Sequence, residues 1–313
     1  MSKQQIVLPC MQCLFPPTKG RGMQIFTYCR CFIEPTKAIS FICPYGHVNK
    51  VASQTFPFDW LLRWAFIDFT EEDYAGAMQN FPAALERFFE FSYKVIQCTK
   101  GLSIDEINSL WKPLSKKSSK QRLAFVDAYQ SAFNSSPFDD RTSQSMAKIR
   151  NDAAHRGIRN KKNTKEYGEF VIEVIHNTIE NFLVHNMTDA KHKITTDQLG
   201  QFGPLTTTMY SEFVSWEYSD DKIKEIEKNL LDFSRHDPQA YAEMASEANK
   251  QQKRLSVNEN RELILISQED YEQINKDKKY RGRKTFEQYC EQATQGEQMF
   301  DRLHVFDVET INS

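Results

Sequence analysis

Cysteines are concentrated at the start of the chain. Five of the seven cysteines among 313 residues precede residue 44, and seven are too few and too unevenly spread for a disulfide framework. This clustering indicates metal binding in a reducing compartment. The first ten residues contain no apolar signal-peptide region, and no stretch approaches the roughly 20 apolar residues that span a bilayer. We therefore expect a cytoplasmic protein without membrane contact.

Two short motifs in this region have the spacing of metal ligands. The first is a CxxC turn, and the second is the CPYGH turn, in which Gly46 permits a sharp bend. Thiolates and an imidazole nitrogen meet the tetrahedral demand of zinc. The turns resemble the two knuckles of a zinc ribbon with a strand hairpin between them, so residues 1–52 are predicted to form a zinc-ribbon-like module with a structural zinc. The expected ligands are Cys10, Cys13, Cys43 and His47.

Two further cysteines leave the ligand set open. Cys29 and Cys31 are two residues apart on a predicted strand, so both side chains point to the same side. They are alternative ligands that can replace one of the turns or bind a second metal. A catalytic zinc usually has three protein ligands and an open position, and the chain contains no HExxH motif. The expected role of the zinc is therefore structural.

From about residue 57 the hydrophobic period becomes helical. The clearest helix is predicted from Asn163 to about His185, where apolar residues form one continuous stripe. Another helix is predicted from Thr142 to Arg156. With further helical patterns before them, these segments predict a helical bundle over residues 57–187. The fold class is thus mainly α, with the small N-terminal β-hairpin module in front.

After residue 190 the pattern weakens. Residues 195–208 have a linker-like composition. Residues 198–313 combine charged helical segments with short strand candidates. We interpret this third region as a C-terminal helical or α+β appendage to which the sequence assigns no role.

The segment KIRNDAAHRG, residues 148–157, places three reactive side chains on one predicted helix. Asn151 and His155 are four residues apart and share a face, whereas Arg150 lies about 140 degrees from His155 around the helix. Arginine and histidine can converge on one phosphate only where the helix edge faces a cleft, as at a dimer interface. Histidine transfers protons near neutral pH, and arginine offsets charge on phosphoryl oxygens. The alternative is a surface arginine and a histidine that stabilises the helix C-terminus.

Basic residues flank this segment on both sides. The formal net charge of −2 argues against non-specific wrapping of nucleic acid, so any contact with RNA must come from local patches. Each basic run alone is also typical of a solvated loop. The expected RNA-binding residues are Lys116, Lys117, Arg156, Arg159, Lys161 and Lys162.

The RNDAAH run resembles the R-x4-6-H signature of HEPN domains, in the form with a polar residue after the arginine. In that family the motif ends a bundle helix, and a polar loop and a long amphipathic helix follow, as in residues 57–187 here. The resemblance implies a homodimer with a composite site, in which Arg150, Asn151 and His155 cleave RNA without a metal and leave a 2′,3′-cyclic phosphate. It also implies a role as a toxin or in anti-phage defence, with a regulatory partner or antitoxin.

Two observations keep a second interpretation open. One toxin branch of the family carries a tyrosine two residues after the histidine, which its antitoxin modifies, and here that position is Gly157. Some relatives also bind without cutting. The alternative is therefore a non-catalytic zinc-ribbon and HEPN protein that binds RNA or protein as a sensor or scaffold. The chain contains no P-loop or dinucleotide fingerprint.

Overall fold

The described part of the chain is mainly helical, with small sheets, as predicted. The computed structural model describes residues 4–14, 27–33, 37–209, 213–216, 218–219, 221–251, 253–258, 262–270, 279–298, 305–308 and 310–311. Two compact units can be distinguished. Unit 1 comprises Met1–Thr178, Asp189–Ser215 and Lys284–Ser313, and unit 2 comprises Ile179–Thr188 and Trp216–Arg283. None of the described helices combines the length and apolar composition that a bilayer span requires.

Two antiparallel strand pairs form the N-terminal module. Strand β1 (Gln4–Pro9) pairs with β2 (Tyr28–Ile33), and β3 (Ile39–Ile42) pairs with β4 (Val48–Ser53). A single helical turn, α1 (Met11–Leu14), follows β1. The predicted hairpin between the two metal-ligand turns is wrong, because β2 and β3 belong to different sheets. Strand β2 pairs with β1, which precedes the first ligand turn, and β3 pairs with β4 across the second ligand turn.

Short strands from distant parts of the chain complete both sheets. The added strands are β5 (Thr207–Met209), β10 (Val305–Asp307) and β11 (Thr310–Ile311). β10 runs parallel to β2, β11 pairs antiparallel with β3, and β5 runs parallel to β4. These pairings occupy backbone groups that open sheet edges would leave unpaired. The structure therefore differs from the three consecutive segments 1–52, 57–187 and 198–313, since the third segment supplies strands to the first.

The bundle is built around one long helix. Its first members are α2 (Pro57–Thr70), α3 (Tyr74–Thr99), α4 (Ile104–Trp111) and α5 (Ser118–Phe133). Helix α3 packs against α2, α4 and α5. Aromatic rings fill the contacts: Phe58 meets Phe88 edge-on at 5.0 Å, and Phe89 stacks on Phe125 at 4.8 Å between ring centroids. Such pairs favour the bundle beyond the apolar area that they bury.

The two helices around the motif have defined ends. Helix α6 (Asp140–Arg156) begins where the Asp139 carboxylate accepts a hydrogen bond from the Thr142 backbone N–H at 2.8 Å. It ends at Gly157, whose φ of +67° is the left-handed conformation that glycine adopts at helix C-termini. Helix α7 (Lys161–Val184) follows after four residues. Both helices were predicted within two residues of these bounds.

Two more helices pack in unit 1. Helix α8 (Thr188–Gly200) extends into residues 195–200, so the linker interpretation of that stretch is wrong. Helix α11 (Phe286–Gln298) packs against α2, and the buried His176 of α7 hydrogen-bonds the Tyr289 hydroxyl at 2.8 Å. A Cβ on Gly168 of α7 would stand 2.5 Å from the Phe286 ring, so only glycine allows this approach.

Unit 2 has an α+β composition. Its described elements are α9 (Asp221–His236), α10 (Pro238–Lys250), β6 (Tyr218–Ser219), β7 (Arg254–Val257), β8 (Leu263–Ile266) and β9 (Lys279–Tyr280). Strands β7 and β8 form an antiparallel pair, as do β6 and β9. The Asp237 carboxylate caps α10 by accepting a hydrogen bond from the Ala240 backbone N–H at 3.0 Å.

Candidate metal centre and motif helix

The four predicted metal ligands converge in the N-terminal module. The sulfurs of Cys10, Cys13 and Cys43 and the Nδ1 atom of His47 all lie within 4.8 Å of one another. The two sulfurs of Cys13 and Cys43 are 3.8 Å apart. His47 Nδ1 lies 3.7, 3.2 and 3.6 Å from the sulfurs of Cys10, Cys13 and Cys43. Ligands at the usual bond lengths around tetrahedral zinc stand about 3.6–3.8 Å apart, so this group can hold a metal ion of that kind.

Local backbone geometry sets each half of this group. In the first turn, the Cys10 backbone carbonyl accepts a hydrogen bond from Leu14 at 3.0 Å, and the resulting turn of α1 brings Cys13 beside Cys10. In the second turn, the Cys43 N–H donates to the His47 carbonyl at 3.0 Å. Gly46 adopts a φ of +81° there, a conformation that a residue with a Cβ rarely adopts.

Asn49 also belongs to this site, although no motif in the sequence indicates it. It is fully buried, and its Nδ2 atom donates to the Cys10 sulfur at 3.4 Å and to the His47 carbonyl at 3.1 Å. Burial by itself raises the pKa of the Cys10 thiol, but hydrogen bonds, first among them the one from Asn49, outweigh it and lower the pKa to about 7. Burial raises the pKa of Cys13 to about 11. Asn49 thus favours the thiolate of Cys10, the form that binds metal.

The alternative ligands have a different position. Cys29 is fully buried beside the group but does not belong to the four atoms that converge. Burial, followed by the nearby charges of Cys43, Cys10 and Cys13, raises the pKa of the Cys29 thiol to about 12. Cys29 therefore favours the neutral thiol. The backbone of Cys31 lies in β2, and its side chain lies outside the part of the chain that the structure describes.

The motif residues occupy the last two turns of α6. Arg150 forms an ion pair with Glu86 of α3, with 2.7 Å between Nη2 and Oε1. Arg150 also lines an open cleft of about 610 Å³ between α3 and α6. Together with Asn151, it lines a smaller, partly open cavity of about 210 Å³ that lies among α3, α5, α6 and α7. No local pattern in the sequence indicates Glu86, which precedes Arg150 by 64 residues.

His155 has a different environment at the end of the same helix. It is exposed in the last turn of α6, and it lines neither of the two spaces that Arg150 enters. Within the described residues, its imidazole makes no hydrogen bond or ion pair. One copy of the chain therefore brings Arg150 and Asn151 to one cavity and leaves His155 outside it.

The six basic residues expected to contact RNA are all exposed. Arg156 forms an ion pair with Asp152 one turn earlier, at 3.3 Å. Arg159 donates from Nε to the Ala153 carbonyl at 3.1 Å and lines the larger cleft beside Arg150. The others are the lysines at 116, 117, 161 and 162, which lie around the N-termini of α5 and α7. Their positions leave these charges open to a polyanion.

Comparison of the chain with protein-family models, curated proteins and solved structures gives no match in any of the three. Its function must therefore be inferred from the two groups of residues described above. One is the converging Cys and His ligands, and the other is the motif at the end of α6.

Proposed function

We propose that the chain is a metal-independent endoribonuclease of the HEPN type that acts as a homodimer. The observation that carries this proposal is the arrangement of α6: Arg150 and Asn151 line a cavity, and His155 stands exposed at the end of the same helix. The left-handed Gly157, a polar loop and the long helix α7 follow in the order typical of that family. An exposed histidine next to an arginine-lined cleft suits a site that a second copy completes.

The proposed reaction uses the RNA's own 2′-hydroxyl. His155 accepts the 2′ proton, and the 2′ oxygen then attacks the adjacent phosphorus. The bond from phosphorus to the 5′ oxygen breaks, and that oxygen takes a proton from a protonated His155. The products are a 2′,3′-cyclic phosphate and a 5′-hydroxyl. Arg150 offsets the charge that develops on the phosphoryl oxygens, and Asn151 orients the phosphate or the histidine.

The exposed basic residues supply the RNA-binding part of the proposal. Arg156, Arg159, Lys161 and Lys162 follow the motif directly, and Lys116 and Lys117 precede α5. Contacts from such residues to phosphates position a strand without reading its sequence. In this proposal a few local basic residues bind the strand, since a chain with a net charge of −2 has no large positive field to attract RNA.

The metal centre has a separate, structural role in this proposal. Zn²⁺ would be held by Cys10, Cys13, Cys43 and His47, a donor set that fits its preference for sulfur and imidazole nitrogen. All four positions are filled by protein, which leaves no position for substrate. The ion would stabilise a module too small for a large core. The proposed context is the cytoplasm, in toxin action or anti-phage defence under a regulatory protein or antitoxin.

One observation favours a second function. The Arg150 guanidinium is already engaged by the Glu86 carboxylate, which competes with a phosphate for the same hydrogen-bond donors. A HEPN fold of this kind that binds without cutting would act as an RNA- or protein-binding sensor or scaffold. The two proposals differ in one measurable property, which is cleavage of RNA.

An RNA-cleavage assay with end-group analysis separates these functions. Protein of verified metal content is incubated with RNA in EDTA, and wild type is compared with His155→Ala. Removing a general acid–base group should slow cleavage by roughly 10²- to 10⁴-fold. His192→Ala, which removes another exposed histidine in unit 1, is the matched control and should cut like wild type. Equal cleavage by His155→Ala and wild type would make the motif a coincidence and leave the sensor function in its place.

A further inference from the structure

The smaller cavity beside the motif contains more polar groups than the proposed reaction uses. It has a volume of about 210 Å³ and lies among α3, α5, α6 and α7. Arg150 and Asn151 belong to the motif. The remaining polar lining comes from Glu86, Ser118, Ser119, Arg122, Ser143 and Tyr167.

Two buried residues present hydroxyl groups to this cavity. Ser143 is 5% exposed and Tyr167 is 4% exposed. Within the described residues, neither hydroxyl makes a hydrogen bond. Burial raises the pKa of Tyr167 to about 12, so this hydroxyl keeps its proton and can donate it in a hydrogen bond. A ligand with acceptor oxygens would give both hydroxyls a hydrogen-bond partner inside the cavity.

The cavity also carries an uncompensated positive charge. Arg150 is neutralised by Glu86, but Arg122 has no carboxylate partner in the described part of the chain. Its guanidinium carbon stands 5.2 Å from the centre of the Phe138 ring, another lining residue. Stacking on an aromatic ring leaves the edge of a guanidinium free for an anion. The charge of the lining therefore favours a negatively charged ligand.

The beginning of α5 adds donors of the same kind. This helix has 16 residues, and its N-cap Lys117 makes no side-chain capping hydrogen bond. Ser118 and Ser119 form its first turn, where backbone N–H groups have no partner within the helix. The N-terminal end of a helix also carries partial positive charge. Together with Arg122 and the hydroxyls of Ser143 and Tyr167, this end gives the cavity several groups that can bind the oxygens of an anion.

We propose that this cavity binds the phosphoryl group of the RNA strand that neighbours the cleaved bond, with Arg150 between the two phosphates because it also lines the larger cleft. A phosphoryl group offers enough acceptor oxygens for the convergent donors, whereas a carboxylate has two. The volume exceeds one phosphoryl group, and Phe138 and Met146 give a sugar or base an apolar wall. The inference rests on the proposed ribonuclease function, because Arg150 and Asn151 belong to both. A free mononucleotide carries the same chemical group.

Calorimetric titration with three probes tests this site. The probes are inorganic phosphate, adenosine 5′-monophosphate and an RNA tetranucleotide with 2′-fluoro sugars, which cannot be cleaved. Wild type should bind the tetranucleotide more tightly than the other two. Arg122→Gln should weaken its binding by about 10-fold, as expected for a hydrogen bond to a charged group. Tyr167→Phe keeps the ring and should weaken binding by about 3-fold.

Lys148→Gln is the matched control. It removes one positive charge from the exposed face of α6 without touching the cavity, and it should leave the affinity within about 2-fold of wild type. Circular dichroism melts check that each variant is folded. Equal weakening by Arg122→Gln and Lys148→Gln would overturn the site, since general electrostatics would then explain binding.

Further outcomes separate this site from the proposed ribonuclease. Absence of binding by wild type to all three probes overturns the site, whether or not RNA is cleaved. Tighter binding of the mononucleotide than of the tetranucleotide overturns the assignment to the RNA strand. Tetranucleotide binding that Arg122→Gln weakens, together with RNA cleavage that is equal for wild type and His155→Ala, supports the site and overturns the role of His155 in the proposed reaction.

Discussion

The metal centre and the motif helix are two polar groups of the same molecule with different degrees of completeness. In the first, four ligand atoms lie within 4.8 Å of one another in a single copy of the chain. In the second, Arg150 and Asn151 line a cavity and His155 stands exposed at the end of the same helix. The four ligand atoms can hold a metal ion within one copy, whereas the proposed reaction requires a second surface before arginine and histidine can act on one phosphate.

The difference follows from how the backbone places side chains. Two tight turns supply two ligands each, and residues of the flanking strands share one buried cluster with the cysteines. A helix distributes residues around its axis, so side chains five positions apart diverge by about 140 degrees. A self-contained site therefore favours turns, and a site shared between copies can be built from one helix.

The largest effect is expected when one ligand of the metal centre is removed. Cys43→Ser should release the ion, because three ligands bind zinc far more weakly than four. Structural zinc sites contribute on the order of 10 kcal/mol of binding free energy at neutral pH, so most of the stability of the N-terminal module should be lost. Elemental analysis should fall from about one zinc per chain to near zero, and the β signal in circular dichroism should decrease.

Two other cysteine variants serve as controls for that experiment. Cys98→Ser changes a cysteine on α3, away from the ligand group, and should keep the ion. Cys29→Ser should also keep it, since Cys29 does not belong to the converging atoms. Loss of zinc from Cys29→Ser with retention in Cys43→Ser would reverse the assignment of ligands.

The sequence predicted the parts of both regions that depend on neighbours along the chain. Ligand spacing identified Cys10, Cys13, Cys43 and His47, which the structure brings together. Hydrophobic periodicity identified α6 and α7 within two residues of their bounds. Turns and amphipathic helices leave a local pattern in the sequence, and both can therefore be recognised without a structure.

The remainder depends on contacts between distant segments. Strands β5, β10 and β11 have only two or three residues, too few for an alternating pattern to indicate which sheet they join. Glu86 is one of many acidic residues on helices, and nothing local marks it as the partner of Arg150. Asn49 follows His47 by two residues, and only burial shows that its amide supports Cys10.

A mixing experiment tests whether the motif helices of two copies share a site. If Arg150 of one copy acts with His155 of the other, Arg150→Ala and His155→Ala should each be nearly inactive alone. Mixing the two variants and allowing subunits to exchange should restore activity to about a quarter of wild type. Half of the dimers are then mixed, and each has one intact site of two. The measurement is the rate of RNA cleavage before and after exchange.

The outcome of mixing depends on where the active site lies. No recovery, with exchange verified by mass spectrometry, would contradict a site made from Arg150 of one copy and His155 of the other. Either both residues of one copy would then act together, or one site would need both residues of both copies. Mixing Arg150→Ala with wild type controls for simple dilution of active subunits.

A smaller effect is expected from the hydrogen bond that supports the metal centre. Asn49→Ala removes the donor that lowers the pKa of Cys10, so this pKa should rise from about 7. Metal is released as pH falls and thiolates take up protons, so the midpoint of acid release should move to higher pH. Loss of an outer hydrogen bond typically weakens metal binding by about 10- to 100-fold. Zinc release followed with a chromogenic chelator measures both quantities.

Gln12→Ala is the control for the Asn49 experiment. Gln12 lies in α1 and donates an exposed hydrogen bond to the Val48 carbonyl at 3.4 Å, without contacting a ligand sulfur. Its replacement should leave the midpoint of release unchanged. If Asn49→Ala and Gln12→Ala shift the midpoint equally, the support comes from the stability of the module and not from the amide beside Cys10.

The smallest expected effect concerns the ion pair that holds Arg150. Both side chains are partly exposed, Arg150 by 42% and Glu86 by 26%, so Glu86→Gln should change the free energy of unfolding by only about 0.2–1 kcal/mol. The carboxylate competes with phosphate for the guanidinium, and its neutralisation should tighten phosphate binding by a few-fold. Glu90→Gln, which breaks ion pairs with Arg87 and Lys94 on the same helix, is the matched control. Equal changes in phosphate affinity for both variants would show that Glu86 does not restrain Arg150, and the observation that favours a non-catalytic sensor would be lost.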